Sequence, residues 1–324
     1  MELTAISNIN NQIIETEKVT TSSGNFIEAN TKKVSLEHLK KDCIIPVYSD
    51  NESTIAHSEF IEATKEVVHS KFSNEKVLEP NIRISHIIKG RVPTAIGKPV
   101  KDLRPEEQTI YYQRVAFMIE LPNLLENVNN NSLSLTIGGV RALNNENLYS
   151  KRSIEKFKVF IGYKNAICTN LCVSTDGLKT DLRVSSVFEL KERIGELIGS
   201  FDKKKLLGNM ERMSKFYLTE IQFAHTIGKM RMYQHLSTQE KIDIFPLGMN
   251  DNQIGTVVKE YYTDPNFSRT NQKSINLWKF FNLLTSANKS SYIDSNLERN
   301  VNAYEFVNTL ANSLQTQTEN WFLI

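Results

Sequence analysis

Along the chain, the spacing of apolar residues changes period. Residues 1–33 scatter Ile and Val among Ser, Thr, Asn and Glu at no fixed interval, which predicts a loosely ordered arm reaching to about residue 42. CIIPVY (43–48) is a short apolar run broken by Pro46, an edge strand or extended segment. Over 56–73, Phe60, Ala63, Thr64, Val67, Val68 and Phe72 follow the i, i+3, i+4 spacing of a half-buried helix, with Ser53 or Thr54 as its cap. The period then drops to two. In NIRISHII (81–88), Ile82, Ile84 and His86 share one face of a strand. The stretch 89–107 carries Pro and Gly and reads as a long loop. TIYYQRVAFMIEL (109–121) has the aromatic and β-branched content of a central strand, ended by Pro122 and an Asn-rich tract. SLSLTIGGV places Leu133, Leu135 and Ile137 inward, and Gly138–Gly139 signals a bulge or a close backbone approach. FKVFIGY and CTNLCVST follow, and Asp176–Gly177 signals a hairpin before LKTDLRV.

After residue 185 the helical period returns. Val187, Leu190, Ile194, Leu197 and Ile198 outline one helix, and Tyr217, Ile221, Ala224, Ile227 and Met230 a second running to about Leu236. Further stripes occur at Ile254–Tyr261, Leu277–Leu284 and Val301–Leu314. Strands followed by helices predict an α+β fold: an antiparallel sheet over about residues 80–185, a preceding helix and a C-terminal helical layer. The expected division is an arm (1–42), a sheet domain (43–205) and a helical domain (206–324) packed on it, with the boundary at the KKK run and Gly208.

Composition alters this picture little. The 324 residues are ordinary in apolar and charged content, which excludes collagen-like, coiled-coil and wholly disordered classes. No apolar run reaches the roughly 18 to 20 residues of a membrane span, and MELTAISNINNQIIETEK lacks the basic start of a secretory signal, so a cytoplasmic protein without a membrane partner is expected. Three Cys form no disulfide framework. Cys168 and Cys172 lack the four-ligand set of structural zinc, so no metal and no cofactor is expected, and buried strand thiols are the favoured reading. The six His are dispersed; His225 and His235, ten residues apart on a helix, would be about 15 Å apart and cannot share a metal. Phosphate-loop, dinucleotide, zinc-protease, hydrolase-elbow and EF-hand motifs are all missing.

Charge is more informative in its distribution than in its total of +2. Residues 1–75 carry seven basic and twelve acidic side chains, whereas residues 76–200 carry eighteen and thirteen. Lys76, Arg83, Lys89, Arg91, Lys98, Lys101 and Arg104 face only Glu79 and Asp102 within 76–104, an excess suited either to phosphate contact or to balancing the acidic N-terminal region. Arg141, Lys151 and Arg152 surround Tyr149, the pairing of charge and ring used to hold single strands. In FKVFIGYKNAICTNLCVSTDG, Lys164, Asn165 and Asn170 interrupt an apolar strand; buried amides there need backbone partners or a ligand. Asn288, Lys289, Ser290, Ser291 and Asp294, with Arg299 beyond, form a polar turn that either caps two helices or binds a phosphate.

EPNIRISHIIKGRVP, QTIYYQRVAFMIELP, SLSLTIGGVRALNNENLYSKR, FKVFIGYKNAICTNLCVSTDG and SINLWKFFNLLTSANKSSYIDSNLERN together resemble the bacterial domain-of-unknown-function family 3871, from about residue 50 to Ile324. That resemblance implies a gene carried on conjugative or other mobile elements, and assigns no chemistry. Its motif residues here are Gly162, Tyr163, Asn165, Cys168, Asn170, Trp278, Asn288, Lys289 and Asp294. More faintly, YKNAICTNL and NLWKFFNLLT are similar to patterns of the wider phage/plasmid-like protein family, with Cys168, Asn170 and Trp278 at shared positions and no counterpart to its closing histidine.

Three functions stay open. The leading expectation is non-enzymatic nucleic-acid binding in DNA maintenance, recombination or annealing, single strands favoured, through Arg83, Lys89, Arg91, Lys98, Arg141, Lys151, Arg152 and Lys164. An enzyme pocket around Asn165, Cys168 and Asn170, joined by Asp294 and Arg299, is the alternative. A module engaging a host factor through the acidic arm is the third, and self-association is compatible with each.

Overall fold

The computed structural model describes residues 24–45, 54–95, 97–146 and 154–323. In chain order its elements are β1 (Lys32–Val34), α1 (Leu36–Lys41), α2 (His57–Lys71), β2 (Asn81–Ile84), β3 (Ile87–Arg91), β4 (Gln108–Tyr112), β5 (Arg114–Val128), β6 (Asn131–Ala142), β7 (Glu155–Asn165), β8 (Leu171–Cys172) and β9 (Leu178–Val184). They continue with α3 (Val187–Ser200), α4 (Lys203–Lys215), β10 (Tyr217–Thr219), α5 (Glu220–Tyr233), α6 (Asp251–Thr263), β11 (Ser274–Asn276), α7 (Leu277–Asn288) and α8 (Ile293–Thr316). The fold is α+β, with a seven-stranded antiparallel sheet ordered β1-β2-β5-β6-β7, and β8 and β9 both paired to the free edge of β7.

Alternation along the long strands sorts the two faces. Phe117, Ile119 and Leu121 on β5 register with Gly139, Ile137 and Leu135 on β6, and these with Val159, Ile161 and Tyr163 on β7. This face carries α2 and α3. Gly139 is the contact point: a Cβ there would stand 2.4 Å from Phe60 Cζ, so the absent side chain seats the α2 ring on the sheet. Ala116, Met118, Val140 and Phe160 form the opposite face, covered by Ile293 and Leu297 of α8 and by Phe26 and Ile27. The Gly138–Gly139 pair is thus a close approach on both faces without a bulge.

Several boundaries differ from the sequence expectation, each for a local reason. The strand expected to end at Pro122 runs on to Val128, because a register shift between Leu121 and Leu125 takes up the residue that lacks an N–H. Asn129 and Asn130, both at positive φ, then turn the chain into β6. No hairpin forms at Asp176–Gly177: a short 3-10 turn steps the chain along β7, so β8 and β9 pair with β7 in succession. The KKK run opens a helix and is no linker. Asp202 caps α4, in which Leu206, Met210 and Met213 are buried, and one apolar cluster is continuous from the sheet through α4 to α7 and α8. Residues 24–42 belong to the fold rather than to a loose arm: Phe26 and Ile27 are buried and β1 adds to β2. The remainder of the expected arm and Pro46 lie outside the described residues.

Helix α7 is the centre of the helical layer, with Leu277, Trp278, Phe280, Phe281, Leu283 and Leu284 all buried. A helix buried on every side must also satisfy its polar residues internally, and Asn282, Thr285 and Asn288 are buried there too. No described helix is long and apolar enough to cross a membrane.

Candidate functional site

Strands β3 and β4 form a separate two-stranded ribbon, tied to the body where Cys43 bridges to Ile110. The loop expected over 89–107 is therefore ribbon at its ends and three 3-10 turns between (Pro93–Ala95, Val100–Asp102, Pro105–Glu107). Ile87, Lys89 and Arg91 alternate along β3, so their side chains leave the same side about 6.6 Å apart. Ile87 is 51% exposed and Val100 74%, at the two ends of the hairpin. Lys98 and Arg104 both reach Glu107, at 2.5 and 3.2 Å. The bond from Lys98, reinforced by the Arg104 backbone N–H, holds the Glu107 carboxyl at about 2, so it stays ionised and fixes the loop. Lys89, Arg91 and Lys101 have no acidic partner among the described residues.

The other cations expected to touch nucleic acid lie elsewhere. Arg83 is buried and donates to Thr31. Arg141 is fully buried, forked onto Glu146 at 3.0 and 3.1 Å, bonded to the Ile55 carbonyl and stacked over Phe157. Lys164 is buried 2.5 Å from Glu120, with Ser134 bound to the same carboxylate. In all three, the cost of desolvating the cation is offset by a fixed internal partner, and burial holds it back from a phosphate backbone. All three side chains are held inside the fold by these partners. Lys151 and Arg152, with Tyr149, lie outside the described residues.

Five of the family-motif residues, Asn165, Cys168, Asn170, Trp278 and Lys289, meet in a second, interior feature. Asn165, at the end of β7, donates from Nδ2 to Asn282 Oδ1 at 3.1 Å, and Asn170 Nδ2 donates to the Asn282 carbonyl at 2.9 Å. Asn282 donates back to the Trp278 carbonyl, and Trp278 Nε1 reaches Asn131 at 2.7 Å. The Cys168 thiol is 3.6 Å from Asn282 Oδ1. Lys289 closes the network onto the Cys168 carbonyl and onto Thr169 Oγ1 at 3.1 Å. Thr169, at φ 59°, makes the tight turn possible. The polar residues that interrupt the strand pattern are therefore a joint between the 165–170 turn and α7.

That joint has definite chemistry. Burial pushes the Cys168 thiol up to about 11, so it stays a neutral donor and lacks the thiolate that a nucleophile needs near neutral pH. Burial also lowers Lys289. Asp294, grouped with this cluster by sequence, sits instead against Arg114 at 3.2 Å, and its carbonyl accepts from Lys158. Arg299 bonds to Gln253 at 2.7 Å and Ser291 at 3.2 Å, joining α8 to α6. Asn288 donates to the Arg299 carbonyl. These bonds tie α6, α7 and α8 together; the last carbonyls of α7 accept from Ser290 and Asn296, whereas α8 starts after Tyr292 without a side-chain cap. Gly162 is a packing position, since a Cβ would lie 2.4 Å from the Cys172 carbonyl.

A third polar group was not singled out by sequence. His38 bridges Asp42 Oδ2 and the Tyr112 hydroxyl, both at 2.7 Å, with Cys43 Sγ 4.0 Å away. His57, fully buried, bonds the Tyr112 carbonyl at 2.9 Å. No signal marks this set in advance, because Tyr112 comes from a strand 74 residues beyond His38. Among the described residues no cluster of His, Cys, Asp and Glu is arranged to hold a metal.

A family model described as "Domain of unknown function, B. Theta Gene description (DUF3871)" matches residues 7–323. No curated protein matches the chain, and no solved structure does.

Proposed function

The chain belongs to the DUF3871 family, and from its hairpin we propose a non-enzymatic nucleic-acid-binding protein acting in DNA maintenance, recombination or annealing on a mobile element. The observation that carries this reading is the alternation of Lys89 and Arg91 on β3, with Lys101 across the turn, all without acidic partners among the described residues. Cations spaced every second residue of a strand suit successive phosphates of an extended single strand, which is the favoured ligand. Ile87, exposed beside them, offers an apolar surface to an unstacked base.

Backbone contact of this kind is governed by counterion release. Three phosphate contacts to a single strand give a log–log salt slope of about −2, a loss of roughly fifteen-fold between 50 and 200 mM salt. Fluorescence anisotropy of a labelled oligonucleotide across that range tests the proposal. Affinity indifferent to salt, or no binding at the lower concentration, would overturn it.

A further inference from the structure

Where β5 breaks register after Leu121, the sheet and its helices part to leave a cavity of about 390 Å³. It lies between the end of α2, the end of α3, the start of α4 and the inner face of β6 and β7. Phe72, Leu135, Ile161, Ile198 and Phe201 belong to its apolar lining. That volume falls in the range of sites for small organic molecules, and so does the predominance of apolar lining.

Besides Tyr163, the polar lining is Glu75, Asn123, Glu126 and Lys203. Tyr163 is 2% exposed and lines the cavity, and its hydroxyl has no hydrogen-bond partner among the described residues. The ring is enclosed but the hydroxyl is not sealed from solvent, so the cavity beside it supplies the place where its partner, a water or a ligand, would sit. Burial, with Glu126 close by, raises the hydroxyl to about 12, so it is present as a donor and not as a phenolate.

The rim selects the kind of partner. Lys203 is 3.5 Å from Glu126, so that cation is already engaged, and Glu75 adds a second carboxylate. An anion meets no free cation there, and a cation would lose its hydration against an apolar wall. We propose that this cavity is a binding site for a small, neutral, largely apolar molecule whose carbonyl oxygen accepts a hydrogen bond from Tyr163. The site is separate from the hairpin, and neither reading depends on the other.

The full chain is titrated with 2-acetonaphthone and with 2-ethylnaphthalene, its near-isostere without the oxygen, by ligand-observed NMR. Both probes are expected to bind saturably. Tyr163→Phe, which removes only the hydroxyl, weakens the ketone about five-fold and leaves the hydrocarbon unchanged. Because that hydroxyl bonds to nothing described, the variant is expected to melt no lower than the native chain. Leu125→Trp, at the half-exposed mouth, reduces both affinities without touching the core. Failure of either probe to bind saturably, an equal response of the two probes to Tyr163→Phe, or indifference to Leu125→Trp overturns the proposal.

Discussion

The side-chain oxygen of Asn282 on α7 accepts from Asn165 Nδ2 at the end of β7, 3.1 Å away and 117 residues earlier in the chain. The same oxygen faces the Cys168 thiol, and the Asn282 carbonyl holds Asn170. One buried amide therefore fastens the 165–170 turn to the central helix.

Asn282→Leu keeps the branched outline and heavy-atom count and removes the acceptor, stranding the Asn165 amide and the Cys168 thiol. Leaving buried donors unsatisfied is expected to cost about 2 to 3 kcal/mol. Urea unfolding of the two proteins measures it; a change below about 0.5 kcal/mol would mean that water replaces the lost partner.

The thiols give a chemical check on the same joint. Burial raises Cys43 and Cys168 to about 11 and lifts Cys172 well above its ordinary value. The native protein is expected to react with an aromatic disulfide reagent at pH 8 far more slowly than the urea-unfolded chain. Prompt labelling of one thiol in the native state, traced to Cys168 by peptide mapping, would show that the turn opens.

How much of this was legible in the residues depends on whether the partner is local. Period-two spacing marked β6 and β7, because strand faces are written in alternation itself, while Gly138–Gly139 marked either a bulge or a close approach and only the fold decided between them. Helix α4 was missed, since the three lysines that open it and Gly208 resemble a linker while Leu206, Met210 and Met213 hold the buried stripe. Charge was the least legible property. Lys164 and Arg83 look like any other cations until folding brings Glu120 to one and Thr31 to the other. The amides Asn165 and Asn170 announced only that they required partners; Asn282 could not be named without the fold. Nothing in the sequence distinguishes the unpaired Tyr163 hydroxyl from any other strand tyrosine.

His57 makes stability pH-dependent. Burial, then the nearby Arg141 charge, lowers it to about 3 from an ordinary 6.5. Between those values the unfolded chain takes up a proton that the folded chain refuses. Its contribution is therefore whole above about pH 6.5 and declines as pH falls toward 3. From pH 6.5 to pH 5 the loss is expected to be about 2 kcal/mol, and His57→Gln should lack that portion. Parallel unfolding curves at pH 7 and pH 5 compare the two proteins; an identical fall in both would assign the acid sensitivity to other groups.

The central claim is that binding runs through the hairpin cations and not through basic residues at large. Its most direct test is anisotropy of a labelled single-stranded oligonucleotide at 50 mM salt with three full-length proteins. These are the native chain, a Lys89→Glu, Arg91→Glu, Lys101→Glu variant, and a control carrying Lys204→Glu and Lys205→Glu on the exposed start of α4. The expected result is a loss of at least about ten-fold for the hairpin variant and little change for the control. Equal losses in the two variants, or undiminished binding by the hairpin variant, would contradict the account.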